Sequence, residues 1–346
     1  MPIYRCNKCG LIAETSTTPA GNKINCTRCS TPSTVFESVF YVEKLLERYI
    51  AALREVEALK AADTPSPQPA AQTPVTNATA SAAAPLPNAL PDALPLGLDL
   101  HNTALLATAK QHQPLKAWFD ARQIDAQFDY ALVDTSGFFD DAARMLADNF
   151  DLYAELLDRV RYAYRNSHSG LNLELAALSQ KDAQAINSLC RQFYSHTLFA
   201  RYHYQKPEKN VRLTLQTATT VRQFFEGGWL EWFAFIEVLQ QFKTKQLSFS
   251  CARGVKVVFA NEDLHELDVL VLGHGQLPIC IECKTGEFRR DIDKYLRLNK
   301  RLGLGRERFI ICATQLSDEQ AASLSAMYEL TFANLKTLGE KLHTIL

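Results

Sequence analysis

The residues best suited to chemistry sit at the ends of two apolar runs. Ile279-Cys280-Ile281-Glu282-Cys283-Lys284 reads as a strand. Side chains alternate faces along a strand, so Glu282 and Lys284 point the same way. Charges at the end of an apolar strand are costly to bury without partners, and a metal ion would be such a partner for Glu282. Upstream, His265-Glu266-Leu267-Asp268 leads into Val269-Leu270-Val271-Leu272, a polar start to a second strand. A Gly-His-Gly-Gln turn at 273–276 fits between the two runs and makes a hairpin. That hairpin brings Asp268 near Glu282, and two close carboxylates need a cation or a shared proton. A third carboxylate, Glu231, stands among Trp229, Leu230, Trp232 and Phe233, where a metal ligand is one role for it. Hard carboxylate oxygens suit Mg²⁺ or Mn²⁺. Such an ion polarises a phosphate and lowers the pKa of a bound water. Lys284 would orient that water or offset charge building on phosphorus. The expected catalytic set is therefore Glu231, Asp268, Glu282 and Lys284, with the three acids as metal ligands.

A second ligand set has different chemistry. Cys6-x-x-Cys9 and Cys26-x-x-Cys29 are separated by sixteen residues, the spacing of two knuckles that complete a tetrahedral thiolate site. This predicts one structural Zn²⁺, with no open position for catalysis. Arg5, Lys8, Lys23 and Arg28 against Glu14 make the segment locally basic, compatible with nucleic acid or an acidic protein partner. The other five cysteines, an odd number in a chain of nine, argue against a disulfide framework and for reduced thiols.

The elements that must carry these residues fall into five segments. Residues 1–34 form the zinc ribbon. Over 35–62 a helix is expected, because Val35, Val39, Val42, Leu46, Tyr49, Leu53 and Val56 step by four and three. That seam predicts a homodimer through residues 35–60; a single amphipathic helix packing on its own chain has the same pattern. Residues 63–98 hold eight prolines among Ala, Thr, Ser, Gln and Asn, a disordered tether. Residues 99–216 read as mainly helical, with helices over 105–119, 138–164 and 181–199. A polar-tipped hairpin follows, compatible with a winged helix and equally with a plain helical spacer. Residues 217–346 read as an α/β domain: a helix over 220–242, strands over 248–259, 266–272 and 277–283, a helix over 291–302, and a strand over 308–313. A helix over 318–327, a short strand near 329–331 and a helix over 334–343 close it. The fold class is multidomain α+β, and the order α-β-β-β-α-β is the core of the restriction-endonuclease-like fold.

Gly-Gly-Trp-Leu-Glu at 227–231, Glu-Leu-Asp at 266–268 and Ile-Glu-Cys-Lys-Thr-Gly at 281–286 resemble the nuclease half of CRISPR-associated nucleases activated by cyclic oligoadenylate, members of the PD-(D/E)xK superfamily. The resemblance covers residues 217–346. It implies that Glu231, Asp268, Glu282 and Lys284 build a divalent-metal site, and it implies a place in bacterial defence. Those relatives carry an N-terminal nucleotide-sensing domain with a Rossmann-like fold; a zinc module and a tether stand in its place here, so ligand activation does not carry over.

Downstream, Arg290, Lys294, Arg297 and Arg301 recur at helical spacing on one face, positioned to meet phosphates. Phosphate contacts position a substrate without reading its sequence. A solvated face paired to Asp291 and Asp293 is the alternative. The net charge of −1 announces no nucleic-acid partner globally, so that expectation rests on this local patch. No apolar run is long enough for a membrane span and no signal peptide is evident, which predicts a cytoplasmic protein. The expected function is a metal-dependent nuclease, with DNA favoured as substrate. An RNA or repair nuclease targeted by the zinc ribbon and a non-cleaving nucleic-acid-binding adaptor are the alternatives.

Overall fold

The computed structural model describes residues 2–6, 11–37, 100, 103–134, 138–259, 264–273 and 275–346. The chain divides into two units, Met1–Ala80 and Ser81–Leu346.

The first unit is a small antiparallel ribbon. Its strands are β1 (Ile3–Arg5), β2 (Ile12–Glu14), β3 (Lys23–Asn25) and β4 (Pro32–Phe36), in the order β2-β1-β4-β3. Among the described residues, Tyr4, Cys6, Cys26 and Val35 are its buried apolar core, a small one to order a chain without a further cross-link. Val35 corrects one expectation. Its spacing makes it the first seam position of a coiled-coil helix, but it lies in β4, paired with Tyr4, and is fully buried. Residues 38–62 of that expected helix, and the tether at 63–98, lie outside the described residues.

The first described elements of the second unit are a 3₁₀ turn, Thr103–Leu106, then α1 (Ala109–Asp120) and β5 (Asp125–Gln127). Next come α2 (Phe139–Asp148), α3 (Phe150–Arg165), β6 (Gly170–Glu174), α4 (Gln180–Ser195), β7 (Phe199–Gln205) and β8 (Asn210–Leu215). The single helix expected over 138–164 is two helices, because Asn149 leaves the helical region at φ −140° and ψ 46°. The expected hairpin is β7–β8, and β6 joins it to give the order β6-β8-β7. One helix, α4, lies between β6 and β7, after a turn over 175–179.

The chain then forms α5 (Thr219–Gln223), a π-helical turn (Phe224–Gly228) and α6 (Trp229–Thr244). Gly227, at φ 156° and ψ −23°, is what breaks the helix expected over 220–242, since few other residues tolerate that backbone. After it come β9 (Phe249–Val258), β10 (Leu264–Gly273), β11 (Ile279–Lys284), α7 (Ile292–Leu302), β12 (Phe309–Ala313), α8 (Asp318–Met327), β13 (Thr331–Ala333) and α9 (Leu338–Ile345). Six strands make one mixed sheet in the order β13-β12-β11-β10-β9-β5. β5, β9, β10 and β11 pair antiparallel, and β11, β12 and β13 run parallel. The edge strand β5 comes from within 99–134, so the stretch before residue 217 completes the sheet.

Both faces of this sheet are buried, which is why its strands read as nearly continuous apolar runs. Val269, Val271 and Ile281 face α6 in one core. Leu270, Leu272 and Cys280 face α1 and α7 in the other. Helix α6 is apolar on nearly every side, as a core helix must be, and Glu231 is the exception in its first turn. No helix among the described residues is long and apolar enough to cross a membrane.

Candidate active site

The hairpin β10–β11 sets the geometry. Its register pairs Val269 with Ile281 and Leu270 with Cys280, and one further step places Asp268 beside Glu282. Alternation then puts Glu282 and Lys284 on the Cys280 face of the sheet, and Asp268 reaches them there. Lys284 Nζ lies 3.0 Å from Glu282 Oε2 and donates to Asp268 Oδ2 at 3.1 Å. The same Asp268 oxygen accepts the Cys283 backbone N–H at 2.7 Å. Lys284 Nζ also stands 5.4 Å from the Tyr295 ring centre. Glu282 is 2% exposed, and its Oε1 finds no hydrogen-bond partner among the described residues. A buried carboxylate oxygen without a partner is expensive.

Glu231 comes from the other face. It projects from α6, and its Oε2 lies 3.0 Å from Arg253 Nη2. Arg253 is the cross-strand partner of Val269, which puts it on the α6 side. Its guanidinium stacks 3.9 Å over Trp232, and Nη1 donates to the Leu132 carbonyl at 3.0 Å.

The two faces meet at a gap in the ladder. Arg253 pairs with Val269 and Val255 with Leu267, leaving Gly254 and Asp268 opposite each other between these pairs. Gly254 has φ 58°, and a Cβ there would stand 2.9 Å from Leu132 Cδ1. A cleft of about 890 Å³ opens at this point, lined by Glu231, Arg253, Gly254, Asp268 and Lys284.

The electrostatics show carboxylates in excess of what this site can keep ionised. Burial pushes Glu282 up to about 8, Asp268 adds to the rise, and Lys284 opposes it. Burial likewise pushes Glu231 up to about 7, against the pull of Arg253 and with the push of Asp268. Burial works against the Lys284 ammonium, but Glu282 and Asp268 outweigh it and hold its pKa well above the ordinary range. A bound divalent cation would supply the missing positive charge. The orphaned Glu282 oxygen and the hard donor set fit such an ion.

Of the four residues expected to form the site, the structure joins Asp268, Glu282 and Lys284 directly. Glu231 shares the cleft but is held by Arg253. Among the described residues, the three carboxylates do not gather within 4.8 Å of one another; Cys6, Cys26 and Cys29 form the group of three that does. Arg253 was missed by sequence reasoning. Its signal was present: an arginine inside the apolar strand Cys251-Ala252-Arg253-Gly254-Val255 invites the same question of burial cost that singled out Glu282.

Arg290, Lys294, Arg297 and Arg301 are all exposed along or just before α7, and none lines the cleft. Lys294 is close enough to Glu282 to oppose the rise in its pKa. The Arg301 guanidinium packs 3.8 Å over Phe259.

In the ribbon, Cys6 and Cys29 bring their sulfurs to 3.4 Å. Cys26 and Cys29 flank a tight turn in which the Ser30 N–H donates to the Cys26 carbonyl at 2.8 Å, with Ser30 at φ 56°. These three thiols could hold a metal ion. Cys9, the fourth expected ligand, lies outside the described residues.

No protein-family model matches the chain, and no curated protein matches it. Solved structures do match. Protein VC1899 from Vibrio cholerae aligns at 19% identity over 66% of this chain and 59% of that chain, with a TM-score of 0.45. Can2 from Sulfobacillus thermosulfidooxidans, solved in complex with cyclic tetra-adenylate, aligns at 15% identity over 66% of this chain and 59% of that chain, with a TM-score of 0.46. The chain thus spans about 59% of the length of each of these two structures.

Proposed function

We propose that the Ser81–Leu346 unit is a divalent-metal-dependent nuclease of the PD-(D/E)xK kind, hydrolysing phosphodiester bonds of DNA. The observation that carries this reading is the cluster of Asp268 and Lys284 on a cleft with the buried Glu282 behind them, one Glu282 oxygen lacking a partner among the described residues. Asp268 and Glu282, with Glu231 across the ladder gap, would hold Mg²⁺ or Mn²⁺. When bound, such an ion supplies a polarised phosphate and a more acidic water. Lys284 stays protonated between its two carboxylates, so it serves as a fixed positive charge toward the scissile phosphate and the attacking water. The Tyr295 ring stands beside that ammonium, its centre 5.4 Å away. The exposed Arg290, Lys294, Arg297 and Arg301 would hold the phosphate backbone beside the cleft. The defence role rests on the resemblance carried by residues 227–231, 266–268 and 281–286.

In the same reading, Cys6, Cys9, Cys26 and Cys29 hold a structural Zn²⁺, supported by the three thiols already gathered. A ribbon so built would recruit nucleic acid or an acidic partner. The seam from Val39 onward supports a homodimer. Incubating the full chain with plasmid, single-stranded DNA and RNA, in Mg²⁺, Mn²⁺ or EDTA, tests the proposal. Metal-dependent cleavage of DNA is expected. Cleavage of RNA alone would move the substrate class, and binding without cleavage would favour the adaptor alternative.

A further inference from the structure

The Glu231–Arg253 pair has a geometry that a surface ion pair lacks. Arg253 is 6% exposed, and a buried guanidinium demands partners. It has three: the Trp232 face, the Leu132 carbonyl and Glu231 Oε2. Its Nε has none among the described residues. Those anchors come from two separate stretches of chain, the first turn of α6 and the Leu132 segment, so the head group cannot swing away without breaking several contacts at once. As a device for stability alone, such a pair is a poor investment, because desolvating two charges offsets most of their attraction. The pair also sits against the one break in the β9–β10 ladder, where Gly254 carries no side chain and Asp268 lies opposite.

We propose that Arg253 is a positioning residue: it grips one oxygen of Glu231 and fixes that carboxylate at the mouth of the ladder gap, within reach of an ion held by Asp268 and Glu282. This rests on the nuclease reading above. Arg253 itself touches neither the ion nor the scissile phosphate. It is what makes a ligand on one face of the sheet usable by a cluster on the other. Helix α6 supplies Glu231 with a flexible side chain, and only the planar fork of an arginine, stacked on Trp232, removes that freedom.

The test measures Mn²⁺ binding by calorimetry on the full chain alongside cleavage, for Arg253→Met, Arg253→Lys, Glu231→Gln and the double variant Glu231→Gln/Arg253→Met. The expected result for Arg253→Met is Mn²⁺ affinity weakened on the order of 10–100-fold. The half-saturating Mn²⁺ for cleavage should rise by the same factor, and KM for the nucleic acid should stay unchanged. Arg253→Lys should restore only part of the affinity. The double variant should be no worse than Glu231→Gln, because Arg253 acts through Glu231. Unchanged Mn²⁺ affinity in Arg253→Met, a raised KM with normal metal binding, or additive losses in the double variant would each overturn the proposal. Should Arg253→Met fail to fold, Arg253→Lys and the Glu231→Gln comparison decide alone. Wild type that binds Mn²⁺ but cuts nothing would sink the nuclease reading while leaving the Arg253 comparison intact in the calorimeter. Wild type that binds no Mn²⁺ would sink both.

Discussion

The two groups of ligating side chains are held in opposite ways. In the ribbon, backbone turns alone bring Cys6, Cys26 and Cys29 within 4.8 Å. In the cleft, three carboxylates stay farther apart, and each is occupied by a basic residue: Lys284 for Asp268 and Glu282, Arg253 for Glu231. Thiols that converge without a counter-charge make a closed site whose ion is part of the fold. Carboxylates kept apart by fixed cations make a site that can take an ion and substrate together and release them. On the proposed function, one region would treat metal as structure and the other as a reagent.

The largest test of that contrast is loss of a thiol. Cys26→Ser should unfold the ribbon, because the four buried apolar side chains among its described residues cannot replace a zinc site worth roughly 10–16 kcal/mol in comparable small domains. Amide NMR signals of the ribbon should collapse while the melting of the Ser81–Leu346 unit stays put. An intact ribbon in the variant would deny the metal its structural role.

Glu282→Gln should behave in the reverse sense. Cleavage should fall by about 10²–10³-fold, yet the melting temperature in EDTA should barely move. Burial already favours the proton-bearing form of Glu282, and glutamine is close to that form in shape. A variant that unfolded instead would make Glu282 a structural residue.

Acidity separates the two regions next. Glu282 and Glu231 titrate near 8 and 7 in the folded chain, above the ordinary 4.5. The folded state therefore binds more protons than the unfolded one over that window. Each group contributes stability below about 4.5 that is lost as pH rises through its folded pKa. Melts in EDTA at pH 5.5, 7 and 8.5 should show the Ser81–Leu346 unit weakening with pH, and Mg²⁺ should reverse the loss. The ribbon should run the other way, releasing Zn²⁺ as acid protonates its thiolates. A cleft unit that gains stability with pH in EDTA would contradict the assigned burial of Glu282.

Smaller effects concern the frame. Gly254→Ala should cost about 1–3 kcal/mol, from a strained positive φ together with the 2.9 Å approach to Leu132. Denaturant titration would report it, and a neutral result would mean that the ladder gap is not enforced there. Smallest is the α7 face: neutralising Arg297 should lower the salt slope of DNA binding by roughly 0.9. An unchanged slope would make it a solvated residue.

Much of this was legible in the residues. Strand parity alone predicts that Glu282 and Lys284 share a face, and the 3.0 Å approach of Lys284 to Glu282 shows it. The hairpin predicts Asp268 beside them for the same local reason. Helix α8 occupies the expected range because Ser317 and Gln320 form a reciprocal cap. What was not legible depends on contacts distant in sequence. Strand β5 joins β9 across more than a hundred residues, and nothing in Asp125-Ala126-Gln127 announces it. The grip of Arg253 on Glu231 needs Trp232 and Leu132 in place. Asn149 and Gly227 break helices whose apolar spacing runs on through them, so periodicity overran both breaks. Val35 continued a heptad by spacing while its register with Tyr4 claimed it for a strand.

The central claim is that Lys284 and its two carboxylates cut phosphodiester bonds. The most direct test is the initial rate of cleavage of end-labelled DNA by wild type and Lys284→Ala, at saturating Mn²⁺, with equal Mn²⁺ occupancy verified by calorimetry. The account predicts metal-dependent cleavage by wild type and a drop of about 10³-fold in the variant. Equal rates from the two proteins would contradict it.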